Sequence, residues 1–127
     1  MNREELFKIH KDLCSQALAL MEKKNSDYAG KSGSEPFANF TRAEAMGITT
    51  TEKGMLVRMI DKMSRLSSFT ESGDFKVDDE KLIDTILDVI NYSILFFAYS
   101  VEKDEMSKSK FYVDVFESDI EYSNGAD

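Results

Sequence analysis

Between Ile83 and Tyr99 the chain is apolar at most positions, and the interruptions that matter are Asp84, Asp88 and Asn91. A helix over this stretch has no polar half, so no single neighbour shelters Ile86, Ile90, Ile94, Phe96 and Phe97 together. It belongs at the centre of a helical bundle or at an interface between subunits. The three polar residues stand at i, i+4 and i+7 and therefore share one stripe of this rod. An ionised carboxylate in a core is costly unless it is paired or bound to metal, so two of them on the innermost helix require partners.

The rest of the chain supplies the bundle. Leu6, Ile9, Leu13, Ala17 and Leu20 recur at helical spacing over residues 3 to 24, and Lys23-Lys24-Asn25 reads as the last turn and exit. Ser26 to Glu35 is rich in Gly and Ser and reads as a loop. Pro36 suits the start of a short helix ending at Gly47. Thr49-Thr50-Thr51-Glu52 fits a capping box for a helix over about residues 51 to 69, with Leu56, Met59, Ile60, Met63 and Leu66 as its apolar stripe. Ser72-Gly73-Asp74 breaks that helix. Val77, Asp78 and Leu82 form a staple and cap for the apolar helix, which runs to about Lys103. These patterns predict an all-α fold, a helical bundle of three main helices plus one short helix.

At 127 residues the chain is the length of one domain, and 42% hydrophobic residues suffice for a core without disulfides. The boundaries read as a helical domain over 1–106 and an acidic, partly extended tail over 107–127, where Phe111, Val113 and Val115 alternate. Residues 101 to 127 hold eight acids and three bases, most of the net charge of -8. That excess argues against direct nucleic-acid binding, which draws its affinity from Lys and Arg on phosphates. The expected location is cytoplasmic: Cys14 has no intramolecular partner, the N-terminal residues carry no apolar signal core, and the apolar stretch reads as too polar and too short for a membrane span.

Asp84 and Asp88 are hard oxygen ligands at a spacing that suits Mg²⁺, which takes one or two carboxylates and completes its shell with water and phosphate. On the preceding helix Arg58, Asp61, Lys62 and Arg65 share the side opposite the Leu56/Met59/Met63 stripe. Two readings follow. Arg58, Lys62 and Arg65 neutralise the three aspartates as an interhelical network, or the acids hold Mg²⁺ while the cations grip phosphate oxygens. His10 and Cys14 are i, i+4 neighbours with no identifiable third group. Gly30-Lys31-Ser32 lacks the upstream glycine and strand of a phosphate loop.

Lys24-Asn25-Ser26-Asp27-Tyr28-Ala29-Gly30, then Pro36-Phe37-Ala38-Asn39-Phe40, then Val57 to Leu66, then Asp84 to Tyr92 follow one another in an order that resembles the phage-type nucleotide-modification-associated domain family. The resemblance covers about residues 5 to 103. That family is similar to the all-α, MazG-like nucleoside triphosphate pyrophosphohydrolases, helical homodimers or homotetramers that hold Mg²⁺ on an E-x-x-E and an E-x-x-D helix. It implies Mg²⁺ on Asp61, Asp84 and Asp88 as the catalytic acids. It places Arg58, Lys62 and Arg65 on phosphates, Lys24, Asn25, Asp27 and Tyr28 near base and sugar, and Asn91 beside them. Arg58 and Thr85 stand where that pattern has glutamates. An arginine at such a position weakens metal binding and adds a phosphate clamp.

The expectation is thus a Mg²⁺-dependent nucleotide-binding protein that hydrolyses a (deoxy)nucleoside triphosphate to monophosphate and pyrophosphate. In a phage setting it acts in the host cytoplasm. The alternative is a non-enzymatic interaction or inhibitor protein that sequesters a nucleotide or covers a basic surface with its acidic tail.

Overall fold

A computed structural model describes residues 1–28, 35–73, 76–77, 80–104 and 110. The fold is all-α: α1 (Arg3–Tyr28), α2 (Ala38–Ala45), α3 (Thr51–Ser72) and α4 (Leu82–Lys103), with the two-residue strands β1 (Lys76–Val77) and β2 (Glu80–Lys81) before α4. Two compact units are present, Met1–Phe96 and Phe97–Asp127. The alternating tail lies outside the described residues.

Each helix starts and stops for a local reason. At the head of α1, Glu5 N–H donates to Asn2 Oδ1 and Asn2 N–H to Glu5 Oε2, both at 2.8 Å, a reciprocal capping box. The far end of α1 runs past the exit expected at Asn25, because Ser26 to Tyr28 contain no Gly or Pro and cost a helix only tenths of a kcal/mol each. The Gly- and Ser-bearing stretch 29–34 lies outside the described residues. α2 begins at Ala38, two positions after Pro36. It ends as a Schellman motif, with Gly47 at φ 74°, Gly47 N–H on Glu44 O and Ile48 N–H on Ala43 O, both at 2.9 Å.

Thr50 caps α3, its hydroxyl accepting from Lys53 N–H at 3.3 Å. The hydroxyl half of the expected capping box is therefore present. Glu52 sits one position too early to be its reciprocal partner. Gly73, at φ 66°, closes the helix by donating to Phe69 O at 2.8 Å. The start expected at Asp78 moves to Leu82 because the residues before it pair as strands, Lys76 with Lys81 and Val77 with Glu80. Asp78 itself lies outside the described residues. Asp84 serves the helix start instead, its Oδ2 accepting from Lys81 N–H at 3.3 Å.

Among the described residues the buried set is small and half polar: Ala17, Phe40, Met55 and Leu87 beside Thr51, Thr85, Asp88 and Asn91. Thr51 Oγ1 donates to Glu44 Oε2 at 2.6 Å and ties α3 to α2. Phe40 meets Tyr92 edge to face, ring centres 6.1 Å apart at 86°. Of the apolar stripe expected in the core of α3, Met59 and Leu66 are half-buried while Leu56, Ile60 and Met63 are exposed; Val57 beside them is exposed too, as are Leu6, Phe7, Ile9 and Leu18 on α1.

With 22 residues, α4 has the length and apolar composition to cross a membrane, so length does not exclude a span as the sequence suggested. Its Asp88 and Asn91 are instead committed to α1 and α3, an arrangement compatible with a soluble bundle.

Candidate ligand pocket

Three helices converge on Asp88. Its Oδ1 lies 3.1 Å from Lys24 Nζ on α1, and its Oδ2 lies 3.0 Å from Lys62 Nζ on α3. The side chain of Asp88 is 11% exposed, that of Lys62 14% and that of Lys24 45%. The Lys24 arm is therefore screened by water and contributes about 1 kcal/mol or less, whereas the Lys62 arm is shielded. One turn further along α4, Asn91 Nδ2 donates to Ala17 O at 2.9 Å, and Asn91 Oδ1 is buried with no hydrogen-bond partner among the described residues. An orphaned buried acceptor costs about 1–3 kcal/mol unless a donor reaches it.

These residues wall a cavity of about 440 Å³, within the size range of small-molecule sites. α1 contributes Leu18, Met21, Glu22, Lys24 and Asn25, and the segment into α2 contributes Glu35, Pro36, Asn39 and Phe40. α3 contributes Arg58 and Lys62, and α4 contributes Asp88, Asn91, Tyr92 and Leu95. Arg58 makes no ion pair or hydrogen bond among the described residues.

Of the residues the sequence singled out, Lys24, Asn25, Arg58, Lys62, Asp88 and Asn91 come together here. Arg65 does not line the cavity; its Nε lies 3.5 Å from Asp61 Oδ2 on the same helix, with the Asp61 side chain 60% exposed. Asp84 is exposed at the head of α4. Asp27 and Tyr28 close α1, and their side chains lie outside the described residues. Asn39, Phe40 and Tyr92 are lining residues that sequence reasoning did not assign to a site. Tyr92 was within reach of it, since it stands at i+4 from Asp88. The α1 lining follows the same rule, with Leu18, Met21, Glu22 and Asn25 at i, i+3, i+4 and i+7.

The donor set does not fit a divalent cation. Both oxygens of Asp88 face ammonium groups, Asp61 faces Arg65, and Asp84 accepts from the backbone. Among the described residues no three His, Cys, Asp or Glu side chains are grouped to hold a metal. The aspartates that share a pattern in sequence are separated: Asp61 is exposed and does not line the cavity, and Asp84 sits at the helix head. The arrangement is suited to holding an anion against cations, with an aromatic pair and amide groups nearby. The chain matches no family model, no curated protein and no solved structure.

Proposed function

We propose that the protein binds a nucleotide in this pocket. The observation that carries the reading is the coincidence, on one cavity wall, of the Arg58 guanidinium and the acceptor Asn91 Oδ1, neither with a partner among the described residues. A phosphorylated ligand supplies the anion that Arg58, Lys24 and Lys62 face. A base or sugar supplies the N–H or O–H that Asn91 lacks, beside Phe40 and Tyr92 as apolar walls. Mg²⁺-dependent hydrolysis of a nucleoside triphosphate, the activity the sequence resemblance implies, gains no support from the donor set. Hydrolysis would require Asp88 to leave its lysines.

The reading includes self-association as a homodimer or homotetramer. Leu56, Val57, Ile60 and Met63 give α3 a contiguous exposed apolar stripe, and burying one such side chain contributes roughly 1.5–3 kcal/mol.

A thermal-shift and turnover screen against the common nucleosides and their phosphates, with and without Mg²⁺, tests the proposal. Stabilisation by a nucleotide that Arg58→Gln abolishes supports it, and pyrophosphate release would restore the hydrolytic reading. No response to any nucleotide overturns it.

A further inference from the structure

We propose that the cavity selects its ligand by the nucleobase, an uncharged group, and that a phosphate adds only what Arg58 supplies. This inference rests on the nucleotide reading above and names the part of the ligand that the wall recognises. The charged side chains of the lining are Lys24, Arg58 and Lys62 against Glu22, Glu35 and Asp88, three of each sign and a net charge of zero. Lys24 and Lys62 are already held by the two oxygens of Asp88, and Arg58, Glu22 and Glu35 are exposed. A phosphate therefore meets one solvated guanidinium and is opposed by two solvated carboxylates. An exposed ion pair strengthens binding about fivefold or less, and each further phosphate adds charge without adding a cation.

The uncharged polar groups of the wall match a base instead. Asn25 on α1, Asn39 on α2 and Asn91 on α4 bring three carboxamides to one cavity. A carboxamide sets donor and acceptor side by side, the pattern that pairs with the edge of a base through two hydrogen bonds at once. Asn91 is fixed in orientation: its Nδ2 donates to Ala17 O, which leaves Oδ1 as a buried acceptor with no partner among the described residues. The oxygens of a phosphate dianion only accept and leave that atom unanswered, whereas a base N–H answers it. Tyr92 adds an aromatic wall, its ring braced edge to face by the buried Phe40, and an aromatic face stacks on any base.

Calorimetric titration of the full chain tests this with nucleosides, their 5′-monophosphates and triphosphates, ribose 5-phosphate and inorganic phosphate, each at low and high ionic strength. The expected result is a nucleoside that binds, with its monophosphate and triphosphate within about fivefold of it. Salt leaves the nucleoside affinity unchanged, and neither ribose 5-phosphate nor inorganic phosphate binds. Arg58→Gln brings the monophosphate to the affinity of its nucleoside. Tyr92→Leu weakens the nucleoside about tenfold, within the range of one lost stacking contact, and Tyr92→Phe keeps its affinity.

A monophosphate or triphosphate that binds more than about fivefold tighter than its nucleoside overturns the inference while the nucleotide pocket stands. A nucleoside bound equally well by Tyr92→Leu overturns it too, because the base then lies elsewhere. Ribose 5-phosphate or inorganic phosphate bound as tightly as any nucleotide overturns both the inference and the nucleotide reading. Both also fall if none of these probes binds.

Discussion

Arg58 and Lys62 on α3 line the cavity, and Lys62 reaches Asp88 on α4; Leu56, Val57, Ile60 and Met63 on the same helix are exposed, at 42%, 62%, 67% and 55%. α3 therefore buries Met55 together with the Lys62 ammonium on its inward side and leaves a second apolar side out, where an amphipathic helix of a self-sufficient bundle presents polar residues. The difference shows what orients the helix. A buried carboxylate without partners costs more than an apolar stripe left to another surface, so the lysine that satisfies Asp88 decides which way α3 faces.

The largest expected effect lies on the inward side. Met55 is fully buried, and Met55→Ala should cost about 2–5 kcal/mol in chemical denaturation. A loss under about 1 kcal/mol would mean that the inward side of α3 is loosely packed and the contrast between its sides is weaker than drawn.

Next comes the ion pair that sets the orientation. Asp88→Ala takes from the shielded Lys62 ammonium its carboxylate partner at 3.0 Å and should destabilise by about 1–3 kcal/mol, less than a fully buried pair because Lys24 is open to water. Adding Lys62→Met should return part of that loss, and a double-mutant cycle reads the coupling. Strict additivity would remove the carboxylate from its role in orienting α3.

The smallest effect on the protomer is expected outside. Ile60→Gln combined with Met63→Gln should change unfolding free energy at a fixed oligomeric state by no more than about 0.5 kcal/mol per site. The same pair should lower the sedimentation-derived association state. A large loss of protomer stability with unchanged association would place the stripe inside the fold.

Much of the bundle was legible from spacing and caps. Thr50, Gly47 and Gly73 mark helix ends by chemistry that acts within one turn, and Asp88 and Asn91 announced a demand for partners wherever they were buried. The cavity was half legible: Lys24, Arg58, Lys62 and Asn91 were read as ligand-facing, whereas Asn39, Phe40 and Tyr92 were not. Tyr92 looks in sequence like any packing aromatic. Its place on the wall depends on Phe40, 52 positions earlier, meeting it edge to face.

What the sequence by itself determined is the set of helices and their stripes, because period and capping depend on neighbours within a few residues. Which stripe faces inward, and what Asp88 does there, was decided only in three dimensions. A carboxylate at a given spacing is equally a metal ligand or an ion-pair partner until its surroundings are known. In this protein the groups within 3.1 Å of it are two ammonium nitrogens from helices far away in sequence.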